Sequence, residues 1–408
     1  MKKFILLFGV CIPVFGFAQH NEADSLLQLG KEEFNKPYTE QNHRQSAAYL
    51  EQAVQLDPLN AEAHYFLAYA YSRINSADGG GIADMNISLT LKCSEQFEIV
   101  NRLEPEYKGE QLVLDPYSKL SAEWSSQALC YLYNDKADSA FWAFKQGRQR
   151  GGFSDFSLCI NRKVLDLCPQ NAILVSSGDN FTLILLYLQV MENYRTDVSV
   201  IDVSLLDSEW YPDFLLRKQG LNFGIPEDSV HSMSYSYWSD TPVSIEYAPG
   251  RDFSWVVGPS YYDAYLLRSD RLLLSLLTAN GFSREVCFTT AFNRESMLGL
   301  WNYTEHRVLV DRVNYDQRPA PGNEEFLDLV YGVLNCLPAL NPACQGEKDF
   351  IDYIRYSIFL RVFDGIQNGD TDHARELLQL VEDRLNPQTE PYRSESGMEY
   401  LEYLRNML

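Results

Sequence analysis

Residues 172–193 read AILVSSGDNFTLILLYLQVMEN. The apolar run Ala172 to Ser177 has the length of a buried strand, Gly178-Asp179 makes a turn, and Asn180 to Asn193 carries apolar residues at a helical period. Val198 to Leu205, rich in Val and Ile, then reads as a second strand. A strand, a crossover helix and a second strand form a βαβ unit, which needs a parallel pair with a right-handed connection. A second round follows, with Asp270 to Asn280 as helix, Glu285 to Ala291 as strand and Arg307 to Val313 as a further strand. The spacing predicts a parallel-sheet α/β domain over residues 169–316.

Open α/β sheets take ligands just outside the carboxyl ends of their strands, against a helix N-terminus. Gly178, Asp179, Asn180 and Thr182 occupy that place, and Asp202 lies where dinucleotide folds hold a ribose hydroxyl. These five residues are the candidate ligand site. Asp179 also suits a helix N-cap, with Gly178 supplying the tight turn. The absence of G-x-G-x-x-G leaves one glycine for close phosphate approach, which favours capping over ligand binding.

Upstream, a different period governs. Counting back from Pro58 gives Ala53, Leu50 and Ser46, and counting forward gives His64, Leu67, Ala68 and Tyr71. These offsets resemble the tetratricopeptide family, helix pairs of about 34 residues in which small residues admit a neighbouring helix. Cys93, Phe97 and Val100 before Pro105 keep the spacing after an insertion at residues 75–81, and Trp124, Ala128, Tyr131, Ala140 and Phe144 make a third unit. Helical repeats are expected over residues 19–168, with His64, Tyr71, Trp124 and Tyr131 as candidates to line a partner-binding groove. Such a groove holds a protein, or is filled by the chain's own next domain. In the C-terminal region, 317–408, Phe350 to Phe363 and Asp372 to Leu385 read as a helical hairpin turned at Asn368-Gly369-Asp370. The fold class is therefore all-α plus α/β: tetratricopeptide-like repeats, a parallel-sheet α/β domain and a C-terminal helical hairpin.

Met1-Lys2-Lys3, an apolar run to Phe17 and a small-x-small site ending at Ala18 read as a cleaved signal peptide over residues 1–18. Export to the periplasm or cell envelope is expected, with no membrane span after removal. The whole chain carries a net charge of −22; loss of Lys2 and Lys3 leaves 32 basic against 56 acidic residues, or −24. That surface repels phosphate backbones and anionic lipid, so nucleic acid is not an expected partner, whereas a basic or neutral protein is. Cys159 with Cys168, and Cys336 with Cys344, are close enough in sequence to pair. With no C-x-x-C and six scattered histidines, no metal or cofactor is expected, and no catalytic set is read.

Gly178-Asp179-Asn180-Phe181-Thr182, Tyr187-Leu188-Gln189, Arg195-Thr196-Asp197-Val198, Ser204-Leu205-Leu206 with Trp210-Tyr211, and Arg268-Ser269-Asp270 resemble the soluble C-terminal region of Bacteroidetes membrane proteins of the protein O-mannosyltransferase-like class. The similarity runs from about Asp115 to Val313. It implies an accessory domain of a Bacteroidetes-type envelope, without the transferase chemistry, which belongs to a membrane half these residues lack. Between the two α/β rounds, Tyr235, Tyr237, Trp238, Tyr247, Phe253, Trp255, Tyr261, Tyr262 and Tyr265 alternate with small and polar residues. Such rings cover a core, stack on sugars or form an interface. The expected function is a non-catalytic interaction or assembly scaffold of the envelope; the alternative is a ligand-binding or accessory role in envelope glycan or glycoprotein handling, sited at the first strand-helix turn.

Overall fold

A computed structural model describes residues 14–290, 292–393 and 395–408. Of the expected leader, residues 1–13 lie outside the described residues. The chain begins as a helical array: α1 (Val14–Asn35), α2 (His43–Leu56), α3 (Ala61–Ser76), α4 (Ile87–Leu103), α5 (Pro116–Tyr133) and α6 (Ala137–Gln149). Asn42, Asn60, Asn86 and Asp115 each accept an amide hydrogen of the following turn and so start α2, α3, α4 and α5. Successive helices pack as hairpins where a small residue lets them approach. A methyl group added at Gly30 would meet the Leu50 side chain at 2.5 Å, and one at Gly147 would meet Trp124 at 2.7 Å. Tyr65, Phe66, Tyr69 and Phe97 fill the first core. The hydroxyls of Tyr65 and Tyr69 both donate to the Leu114 carbonyl, at 2.9 and 3.1 Å, and so pin the segment leading into α5.

The middle of the chain runs α7 (Asp155–Leu167), β1 (Ile173–Ser176), α8 (Asp179–Glu192), β2 (Ser199–Asp202), α9 (Tyr211–Gln219), α10 (Glu227–Ser232), β3 (Ser236–Tyr237), β4 (Thr241–Ala248), β5 (Arg251–Val257), β6 (Tyr265–Leu266), α11 (Arg268–Asn280), β7 (Val286–Thr289), β8 (Thr304–Arg307) and β9 (Val310–Val313). The main sheet has the order β2-β1-β7-β9-β8. Val175 pairs with Ile201 on one side and Phe288 on the other, both in parallel, whereas β9 is antiparallel to β7 and β8. All of β1 and β7 is buried, as strands covered on both faces must be. Two expected strands are altered. Val198–Leu205 stops at Asp202, because the Asp202 carboxylate accepts the amides of Ser204 and Leu205 and folds the chain into a 3-10 turn. Arg307–Val313 is instead the far end of a hairpin whose turn passes through Val308 at φ 56°.

α12 (Asn323–Leu334), α13 (Gln345–Gln367), α14 (Thr371–Arg384) and α15 (Glu395–Met407) complete the chain. The hairpin α13–α14 settles on the α/β layer. Phe350 packs against Phe181 of α8 with ring centroids 4.9 Å apart, Ser357 donates to the Val308 carbonyl, and the Gly346 amide donates to Asp115 at 2.8 Å. The cysteine pairing differs from expectation. Cys159 bonds Cys336, tying α7 to the end of α12, while Cys168 and Cys344 are free and buried. Cys159 lies on α7 and Cys168 just past its end, so nine residues of helix hold the two about 13 Å apart, beyond the reach of a disulfide. Among the described residues no helix is long and apolar enough to cross a membrane.

Candidate functional site

The carboxyl ends of β1 and β2 open on a cavity of about 170 Å³ lined by Gly178, Asp179, Asp202 and Ser204, together with Ser76, Asp78 and Lys119 of the helical array. Gly178 is at φ 88° and ψ 151°, a conformation that glycine adopts without strain, and it turns the chain from β1 into α8. It is the N-cap. Asp179 was expected there, but it is the first residue of the helix and caps nothing, so its carboxyl stands at the cavity wall. Burial raises its pKa, and the Lys119 ammonium partly offsets that shift.

Asp202 is held differently. Its Oδ1 accepts the amides of Ser204 at 2.9 Å and Leu205 at 3.1 Å, and its Oδ2 meets the Thr182 hydroxyl at 2.6 Å. Thr182 in turn meets Ser176 Oγ at 2.7 Å, and Ser176 reaches the Ile201 carbonyl at 3.2 Å. Thr182 donates to Asp202 and Ser176 to the Ile201 carbonyl, and one of the two hydroxyls also serves the contact between them. Burial pushes the Asp202 pKa up to about 6 against the hydrogen bonds from Thr182 and the Leu205 amide, with the nearby Asp179 charge adding to the rise.

The structure thus brings Gly178, Asp179 and Asp202 to one cavity and places Thr182 beneath it as a structural link. Asn180 is turned away, toward a crevice shared with Ser118 and Cys344. Lys119, Asp78 and Ser76 had no sequence signal, since they reach the site from helices and turns far along the chain. The array closes over the strand ends: Trp210 Nε1 donates to the Gly79 carbonyl at 2.9 Å, and Gly79 rests on Leu205.

The groove candidates are not on an open surface. His64 is buried between the Gln96 side chain at 2.6 Å and the Pro58 carbonyl at 3.1 Å. Tyr71 is buried and donates to Glu51 at 2.5 Å, and Trp124 is buried and donates to Ser94 at 2.9 Å. Tyr131 is half-buried against the core. The pattern that spaces groove residues also spaces the faces that helices bury against one another, and here those faces are the ones occupied.

The aromatic segment divides in two. Phe253 and Trp255 of β5 are buried, with Trp255 Nε1 donating to the Leu298 carbonyl at 2.9 Å. On the ribbon β3–β6, Tyr235, Tyr237 and Tyr262 are 68, 71 and 80% exposed, and Tyr261 and Tyr265 are also exposed. Tyr235 and Tyr237 each stand edge-on to Tyr265 at 6.0 Å.

A family model described as TMEM260-associated domain 2 matches residues 158–249, from α7 to the end of β4. That match fits a relation to TMEM260 and the O-mannosyltransferase-like proteins. No curated protein matches the chain.

Proposed function

We propose that this protein is an exported interaction scaffold of the cell envelope that holds a protein partner on the tyrosine ribbon β3–β6. The observation carrying this reading is the exposure of five tyrosine rings on one short ribbon. Tyrosine among Ser, Gly and Asp is the composition of protein-recognition loops, because the ring offers a large contact at a cost of only two torsions. Asp240, after β3, and Asp263, before β6, lie exposed beside the ribbon, and phenol faces and carboxylates both attract guanidinium and ammonium groups, so the partner surface is basic. The inward-facing groove candidates favour the ribbon over the helical array as the docking surface. Purification from native envelopes tests the reading. One stoichiometric partner should co-purify with wild type and be lost when Tyr235, Tyr237 and Tyr262 are changed to Ser with an unaltered melting temperature. Equal recovery with that variant, or a free monomer from native membranes, contradicts it.

A second reading, ligand binding in glycan or glycoprotein handling, is favoured by one observation: the Asp179 carboxyl and the Lys119 ammonium face one small polar cavity. A thermal-shift screen with nucleotides, nucleotide-sugars and glycans decides it. A rise in melting point that Asp179→Ala abolishes supports it, and no rise for any compound removes it.

A further inference from the structure

Away from the strand ends, α9 and α10 bring together three groups of another kind. The ligating atoms of Asp213, Glu227 and His231 lie within 4.8 Å of one another, and His231 Nε2 is 3.2 Å from Asp213 Oδ1. We propose that these three side chains bind one divalent transition-metal ion of the zinc class.

The arrangement follows from local structure. Pro226 starts α10, and the spacing of four residues sets Glu227 and His231 one turn apart on the same helical face. Val230, in the same turn, is buried and anchors the helix against the core. Asp213 comes from the first turn of α9, whose Tyr211, Phe214 and Leu215 are buried and fix its rotation. Arg268 then locks the two helices to a common frame. Its guanidinium donates to the carbonyls of Val230 at 3.3 Å and Met233 at 3.1 Å on the α10 side, and to those of Leu206 and Ser208 just ahead of α9. The donors are therefore presented by a braced scaffold and not by a loop.

The chemistry of the set selects the ion. Two carboxylates converge with a single imidazole, and Glu227 makes no ion pair among the described residues. The excess negative charge, in a chain of net charge −22, attracts a cation. An imidazole with two carboxylates suits a borderline ion at bond lengths of about 2.0–2.2 Å, whereas calcium and magnesium favour oxygen ligands. Three protein donors leave a position open to solvent. α10 runs into β3, so an ion here ties α9 to the foot of the tyrosine ribbon.

Titration calorimetry of the full, oxidised chain with zinc chloride, and separately with calcium and magnesium chloride, tests the site. One zinc ion per chain is expected, with X-ray absorption showing only nitrogen and oxygen neighbours. His231→Ala and Glu227→Gln should each weaken binding by more than the roughly 10–100-fold that losing an outer-shell partner costs, with the melting temperature in chelator unchanged. The exposed positions of Glu227 and His231 make both variants foldable, and each is an independent test. The proposal is overturned by no zinc binding, by zinc affinity that both variants leave intact, by sulfur in the metal shell, or by calcium or magnesium binding as tightly as zinc.

Discussion

Replacing Asp202 by Asn tests the buried network at the strand ends. The folded protein holds this carboxyl at about 6 against an ordinary value of 3.8. A raised acid stabilises the fold in its protonated form. Its contribution is fully present below about pH 4 and is lost as pH rises through about 6. A gap of about two pH units at about 1.4 kcal/mol each is worth about 3 kcal/mol, of which about 2.5 kcal/mol is lost between about pH 4 and pH 7.5. Asn in the same place keeps an oxygen for the Ser204 and Leu205 amides and carries no charge at any pH, so it stands in for the protonated acid throughout. Urea unfolding of both proteins across this window isolates the group, because every other carboxyl is common to the pair. Wild type should lose about 2.5 kcal/mol relative to Asp202→Asn from acid to neutral pH. A flat difference, or a wild type that gains on the variant as pH rises, refutes the burial-raised carboxyl of Asp202.

Three further outcomes follow from the packing. Peptide mapping without reductant should recover Cys159 joined to Cys336, and reduction should cost about 2–5 kcal/mol because the bridge closes a loop of 177 residues; a Cys159–Cys168 peptide contradicts the fold. Gly299→Ala should destabilise by more than about 2 kcal/mol, since φ is 79° and a methyl group there runs into the Val256 carbonyl; a melting temperature within a degree or so of wild type speaks against that turn. Trp210→Phe removes the hydrogen bond to Gly79 and should cost about 1–2 kcal/mol. Hydrogen exchange should then quicken in residues 77–84, and unchanged protection there means the array does not rest on the strand ends through this contact.

What could be read from the sequence follows the range of the interactions. β1, α8 and β2 were legible because a buried strand, a glycine turn and a helical period are written in adjacent residues. The hairpin β8–β9 was not, because Val308 and Leu309 turn the chain without Gly or Asn to mark it and are buried like strand residues. The cavity was half legible. Gly178, Asp179 and Asp202 follow from the strand-end rule, but Lys119 and Asp78 arrive by docking of the array, which no local pattern encodes. Asp179 as a cap and Cys159 with Cys168 as a bridge were inferences from proximity along the chain, and helix geometry overruled both. His64, Tyr71 and Trp124 were found by spacing, which marks a helix face without saying what covers it.

The proposed docking on the ribbon is tested by a photo-crosslinking amino acid placed singly at exposed positions in living cells. At Tyr237 and Tyr262 on the ribbon, irradiation should yield one discrete adduct of constant mass, and at Leu59 and Leu91 on the array it should yield none. Adducts from the array positions alone, with the ribbon positions silent, contradict the account.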